Sequence, residues 1–245
     1  MKFATPLREA RLIKRYKRFL ADIETPDGQV MTIHCPNTGS MRHCLEPGEP
    51  LWWSLSDNPK RKLPGTWEVA CLRHGRPDSV APDYALINTA RPNALVAEAL
   101  SENRIAPLSG YTSHRREARL GQRRLDFCLT AEGQQPCWVE VKNVTLLEQP
   151  DIGLGMFPDA VSQRATAHLH ELMACVARGE RAVLLFCVGH TGIRSVMPAA
   201  DIDPVYARTL QEAYAAGVEL FAYGVSLTRE HMQLTIPLPV MLEKA

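Results

Sequence analysis

The 245 residues hold no apolar run long enough to cross a bilayer. The longest clearly apolar stretch of the second half, Ala182 to Val188, is far too short, and the N-terminal MKFATPLREA lacks a secretory hydrophobic segment. These absences predict a cytoplasmic protein with no membrane partner. No Cys-x-x-Cys occurs among the seven cysteines, whose odd number and irregular spacing argue for reduced thiols, several of them (Cys71, Cys128, Cys187) inside apolar strands. His34-Cys35 and His43-Cys44 are adjacent pairs that would point to opposite faces of a strand, which argues against zinc. A Walker loop, a dinucleotide fingerprint and a helix-turn-helix signature are also missing, so the residues support no specific reading of a promoter.

What is present is an ordinary globular composition, 45% apolar with a net charge of +1, enough for one large domain or two smaller ones. The charge is unevenly spread. Residues 1–80 carry 13 Lys/Arg against 9 Asp/Glu, whereas residues 151–245 carry 7 against 10. Lys14, Arg15, Lys17 and Arg18 interleave with Tyr16 and Phe19, and Lys60-Arg61-Lys62 sits in a Pro-flanked loop. Cations beside aromatic platforms suit nucleic acid, although any single run also reads as solvated surface. Arg115, Arg116, Arg119, Arg123 and Arg124 precede Asp126, where they could guide a phosphate backbone.

Segments near 11–15, 18–24, 29–35, 51–56 and 66–72 read as short strands, and Pro26-Asp27-Gly28 is a hairpin signal. Apolar parity slips between Leu12 and Phe19, which predicts a bulge or bend of the kind that curls a small sheet. Residues 1–82 are therefore expected to form an all-β OB-like barrel. The boundary falls within 73–85, marked by Gly75, Pro77 and Pro82. From about Asn88 the pattern changes to a helix over 91–103, strands over 115–120, 124–129 and 138–144, and a helix over 159–178 with Asp159 in its first turn. A strand at 182–188, a helix at 204–216 and a strand at 218–225 complete an α/β domain over 83–245.

Within that order, RRLDFCLT alternates so that Leu125, Phe127 and Leu129 share one face and Asp126 takes the other. Glu140 and Lys142, between Val139 and Val141, point the same way on a strand. If the chain turns back between them, two carboxylates and an ammonium converge. Two carboxylates with open coordination suit Mg2+ or Mn2+, which keeps waters and accepts phosphate oxygens, and Lys142 would orient a water or offset developing charge. Alone, Glu-x-Lys is more often a solvated ion pair worth about 0–1 kcal/mol.

Helix, three strands, helix, strand around these residues resembles the core of the PD-(D/E)xK nuclease superfamily. RYKRFLADIE at 15–24, HCPNTGSM at 34–41, SDNPKRKLPGTWE at 56–68, RRLDF at 123–127, VEVKNVTL at 139–146, FPDAV at 157–161 and RAVLLFCV at 181–188 look like the sugar fermentation stimulation protein A family. The resemblance covers essentially the whole chain. It implies DNA binding without evident sequence preference and a regulatory link to sugar (maltose) metabolism. It places Asp126, Glu140 and Lys142 on the catalytic strand positions, with Asp126 and Glu140 as metal ligands, and Glu98 on the helix acid that some members add. Contacts to DNA are expected from Arg15, Lys17, Arg18, Lys60, Arg61, Lys62, Arg123 and Arg124.

The chain departs from the family where a Gly-x-Lys is expected before the His-Leu pair and Ala165-Thr166-Ala167 stands instead. His168 on that helix reads equally as packing residue or contact, and Asn37-Thr38-Gly39-Ser40 as ordinary turn or phosphate contact. Two functions remain open: a Mg2+-dependent nuclease, for which a homodimer would suit cutting two strands, and a non-catalytic DNA-binding regulator.

Overall fold

A computed structural model describes residues 1–73, 76–77, 80–121 and 123–243. Gly75, one of the expected boundary markers, lies outside them. The first five strands are β1 (Arg8–Tyr16), β2 (Leu20–Glu24), β3 (Val30–His34), β4 (Pro50–Leu55) and β5 (Gly65–Leu72). β1 pairs with β2 and β4, β2 with β3 and β4 with β5, all antiparallel, and His34 of β3 meets Thr66 of β5 in parallel to close the ring. This is the barrel expected from the sequence. Alternation sends Ala10, Leu12, Ala21, Ile23, Ile33, Leu51, Trp53 and Trp67 inward. The register slips between Leu12 and Lys14, within the segment where apolar parity failed.

β6 (Asp83–Leu86) begins just past the expected division yet adds to the edge of β5, and its Ala85 bridges to His190 of the second unit. The remaining elements are α1 (Arg91–Ser101), β7 (Ser113–Leu120), β8 (Arg123–Thr130), β9 (Cys137–Val144), β10 (Leu146–Gln149), β11 (Leu154–Phe157), α2 (Gln163–Ala177), β12 (Arg181–Val188), β13 (Ser195–Pro198), α3 (Pro204–Ala215), β14 (Glu219–Leu227) and β15 (Met232–Leu238). Six of these strands form one sheet in the order β15-β14-β12-β9-β8-β7, while β10, β11 and β13 form a small second sheet. β9, β12 and β14 run parallel, and β12 reads as the near-continuous apolar run of a strand covered on both faces.

One face of the large sheet buries Phe127, Leu129, Val139, Val141, Val183 and Leu185 against Leu95, Val96 and Ala99 of α1. Trp52, Val69 and Leu86 of the barrel sheet join the same cluster, so the two units share a core. The opposite face carries Trp138, Leu184, Phe186 and Val188 against Leu169 and Leu172 of α2 and Leu210 of α3. All seven cysteines are unpaired and buried, and burial pushes the Cys44, Cys71, Cys137 and Cys187 thiols up to about 12. Among the described residues no helix is long and apolar enough to cross a membrane.

Three expectations need correction. The second helix starts at Gln163, capped by Ser162 Oγ accepting from Ala165 N at 3.1 Å, and not at Asp159. Asp159 instead accepts from Ser40 Oγ at 2.9 Å and Met41 N at 3.2 Å, which ties FPDAV to the NTGS loop of the barrel. Leu125 does not share a face with Phe127 and Leu129. Pairing of β7 with β8 lapses between Arg116–Phe127 and Ala118–Leu125, where Glu117 has φ +47°, and Leu125 packs with Ala118 in the cluster beneath α2. The short strands β6, β10, β11 and β13 and the edge strand β15 were not expected.

Closure of the barrel leaves no room at Gly65, where a Cβ would overlap the Trp53 ring. Gly65→Ala is expected to destabilise the protein by about 1–3 kcal/mol through overpacking. Urea unfolding followed by tryptophan fluorescence checks this, and an unchanged midpoint would contradict the packing described.

Candidate metal and phosphodiester site

β8 and β9 pair from Leu129–Cys137 to Phe127–Val139, and the next step of that register brings Asp126 opposite Glu140. There the ladder gives way to a side chain, since Val141 N donates to Asp126 Oδ2 at 2.8 Å. The other oxygen, Oδ1, accepts from Asn93 Nδ2 of α1 at 2.6 Å. Alternation on β9 places Glu140 and Lys142 with Trp138 and Val144 toward α2. α2 then supplies His168. Glu140 Oε1 accepts from Lys142 Nζ at 2.7 Å and from His168 Nδ1, and Nζ lies 3.2 Å from that same nitrogen.

Glu140 is 3% exposed, and its second oxygen, Oε2, is buried with no hydrogen-bond partner among the described residues. A carboxylate oxygen left dry in this way is costly unless something else satisfies it. Burial pushes the Glu140 carboxyl up, but the His168 hydrogen bond and the Lys142 charge outweigh it and hold the group below its ordinary value. Asp126 goes the other way: burial raises it and the Glu140 charge adds to the rise, against the hydrogen bonds from Val141 and Asn93 and the charge of Lys142. The pair is thus polarised, one carboxyl kept ionised beside another that resists ionisation.

A divalent cation would answer both conditions, because it would satisfy Glu140 Oε2 and favour the charged form of Asp126. No group of three or more His, Cys, Asp or Glu among the described residues is placed to hold a metal by itself. Two carboxylates therefore fit a hard ion of the magnesium type, which retains waters, and do not fit a closed protein cage.

Glu140 and Lys142 are in direct contact, Asp126 lies near enough to feel the charge of both, and Asn93 and His168 are added to them. His168 reads from the sequence equally as packing residue or contact, and nothing local marks Asn93, an Asn in a first helical turn. Glu98 does not join them. It is held by the Met1 ammonium at 2.6 Å and Arg104 at 3.2 Å, which neutralise it.

The basic residues sort by what they touch. Arg15 donates to the backbone oxygens of Asn37 and Gly39 at 2.9 and 3.1 Å, so it braces the NTGS loop while keeping its charge. Arg61 donates to Thr66 Oγ1 at 2.9 Å, and Arg123 pairs with Glu171 at 2.9 Å. Lys17, Arg18, Lys60, Lys62 and Arg124 are exposed, with no ion pair among the described residues.

The family model for the SfsA N-terminal OB domain matches residues 13–76, and that for the Sugar fermentation stimulation protein RE domain matches residues 90–231. A sugar fermentation stimulation protein homolog of Pseudomonas putida (strain KT2440) is 50% identical over 244 residues, covering 99% of each chain. This chain belongs to the sugar fermentation stimulation protein family. The homolog of Marinomonas sp. (strain MWYL1) is 49% identical over 243 residues, covering 99% of this chain and 91% of its own. The SfsA of Pyrococcus furiosus, solved in complex with Ca2+, has the same fold at a TM-score of 0.83, with 24% identity and 98% of each chain covered. In family terms the OB match falls on the barrel, and the RE match spans α1 to His231 and every residue of the cluster.

The polarised pair makes a signed prediction. The folded-state pKa of Asp126 is raised, so its ionisation opposes folding above that pKa, and Asp126→Asn in chelator should stabilise the protein near neutral pH. The gain should shrink as pH falls through the raised Asp126 pKa. Glu140 is depressed, so Glu140→Gln should cost stability near neutral pH, and that cost should fade as pH drops through the Glu140 pKa. Thermal melts from pH 7 downward check both signs.

Proposed function

We propose that this protein is a cytoplasmic DNA-binding protein without sequence preference that carries a Mg2+-dependent phosphodiesterase site at Asp126, Glu140 and Lys142. The observation that carries the reading is the buried, unpartnered Oε2 of Glu140 beside Asp126 and Lys142. Asp126 and Glu140 would hold the ion, as the Ca2+ bound by the Pyrococcus furiosus relative supports for a divalent cation in this family. When bound, such an ion stabilises charge on a phosphate and lowers the pKa of a water. Lys142 Nζ would offset developing phosphate charge, and Glu140 Oε1, which accepts from it, fixes its position. Trp138 and the α2 contacts keep that side of the site dry.

The barrel supplies the DNA surface in this reading. Lys17 and Arg18 lie in the loop between β1 and β2, and Lys60, Arg61 and Lys62 lie in the loop between β4 and β5. Both loops meet at His34, which pairs with Leu20 after the first and Thr66 after the second. These two loops flank the oligonucleotide face of OB folds. Phe19, 48% exposed beside Arg18, offers a face for a base.

A regulator without turnover is the second reading, favoured by Ala165-Thr166-Ala167, where the resemblance implies a lysine and this chain has none. Incubating single-stranded, duplex and branched DNA and RNA with Mg2+, Mn2+ or chelator separates the two. Metal-dependent cutting by the wild type, abolished in Lys142→Ala and Asp126→Asn, is expected, and binding without any cutting would favour the regulator. On duplex DNA, log affinity should fall against log salt by about 0.9 per neutralised phosphate. Replacing Lys17, Arg18, Lys60 and Lys62 with Ala should flatten that slope, and an unchanged slope would remove the barrel loops from the interface.

A further inference from the structure

The first turn of α1 joins the barrel to the candidate metal carboxylate. Arg91, its first residue, sends Nε and Nη2 to the two oxygens of Glu68 on β5 at 2.8 and 2.6 Å. Glu68 is fully buried and is completed by Ser54 Oγ at 2.8 Å and Asn88 Nδ2 at 2.9 Å. Ala90 supplies no side-chain cap, and Asn88 Oδ1 accepts from Ala90 N at 3.1 Å, so the turn is held by Asn88 and Arg91. Two residues beyond Arg91, Asn93 donates to Asp126 Oδ1 at 2.6 Å, while Val141 N holds Oδ2. A carboxylate pinned at both oxygens cannot swing, and its remaining lone pairs face a fixed direction. The donor is also neutral. A Lys or Arg at this place would compete with a cation for the same charge, whereas an amide orients the group without opposing metal.

We infer that Asn93 is a positioning residue for Asp126, and that the Glu68–Arg91 ion pair makes the barrel part of the site by fixing the turn that carries Asn93. The inference rests on Asp126 and Glu140 being a cation site. The hydrogen-bond partners of metal-binding carboxylates typically change affinity 10–100-fold when removed.

Mn2+ binding to the full chain, titrated by electron paramagnetic resonance, is the test. Asn93→Leu should weaken binding by about 10–100-fold and alter the line shape of the bound ion, with the circular dichroism of the chelated protein retained. Arg91→Lys, which keeps the charge but loses the two-point fork, should weaken binding by a smaller factor. Should Asn93→Leu not fold, Asn93→Ala carries the same expectation. Unchanged affinity and line shape in the Asn93 variant would overturn its positioning role, and unchanged affinity in Arg91→Lys would remove the barrel's part. Asp126→Asn distinguishes the deeper failure: if it binds Mn2+ as the wild type does, or if the wild type binds none, the cation site itself falls and the inference with it.

Discussion

Glu140 holds a charge inside the protein with only one of its two oxygens compensated. Lys142 and His168 converge on Oε1, and Oε2 is left dry. Much of the second unit serves that arrangement. Parallel pairing of β9 with β12 buries the strand, and packing of α2 on the same face brings His168 down and removes water. Retaining an ionised carboxylate there costs desolvation, and Asp126 is kept from ionising easily by its own burial, with the Glu140 charge adding to it. In the proposed reading, an ion that drew on both groups would relieve both costs.

The barrel and the α/β unit are joined by more than a linker. Trp52 and Val69 enter the core beneath α1, Glu68 is ion-paired to Arg91, and the NTGS loop is latched to Asp159. Lys17, Arg18 and the Lys60–Lys62 loop thus stand in a fixed relation to Asp126. A nucleic acid held on the barrel would meet the site in a defined orientation without any motion of one unit against the other.

The parts of this plan visible in the sequence are those with a local signature. Period-two alternation and turn residues located β1 to β5, and the two-residue spacing of Glu140 and Lys142 placed both on one face. Asn93 and His168 arrive from helices, and which helical position meets the sheet depends on docking, which periodicity does not specify. The same uncertainty led to Glu98: it is five residues from Asn93 on α1, and the packing of that helix turns it toward Met1 and Arg104. A sequence shows the charge of Arg15 but not the backbone oxygens to which it donates. Asp159 has the local signature of a helix-start residue, overridden by a contact 118 residues distant in the chain. Short strands such as β11 and β13 have too few residues for a period to register.

The central claim, a divalent cation shared by Asp126 and Glu140, is tested most directly by a crystal of the protein soaked in Mn2+ and measured at the manganese absorption edge. The account predicts one strong anomalous peak within bonding distance of Glu140 Oε2 and an Asp126 oxygen, with waters completing the coordination. A saturating soak that leaves this position without a peak, or that places manganese only elsewhere, would contradict it.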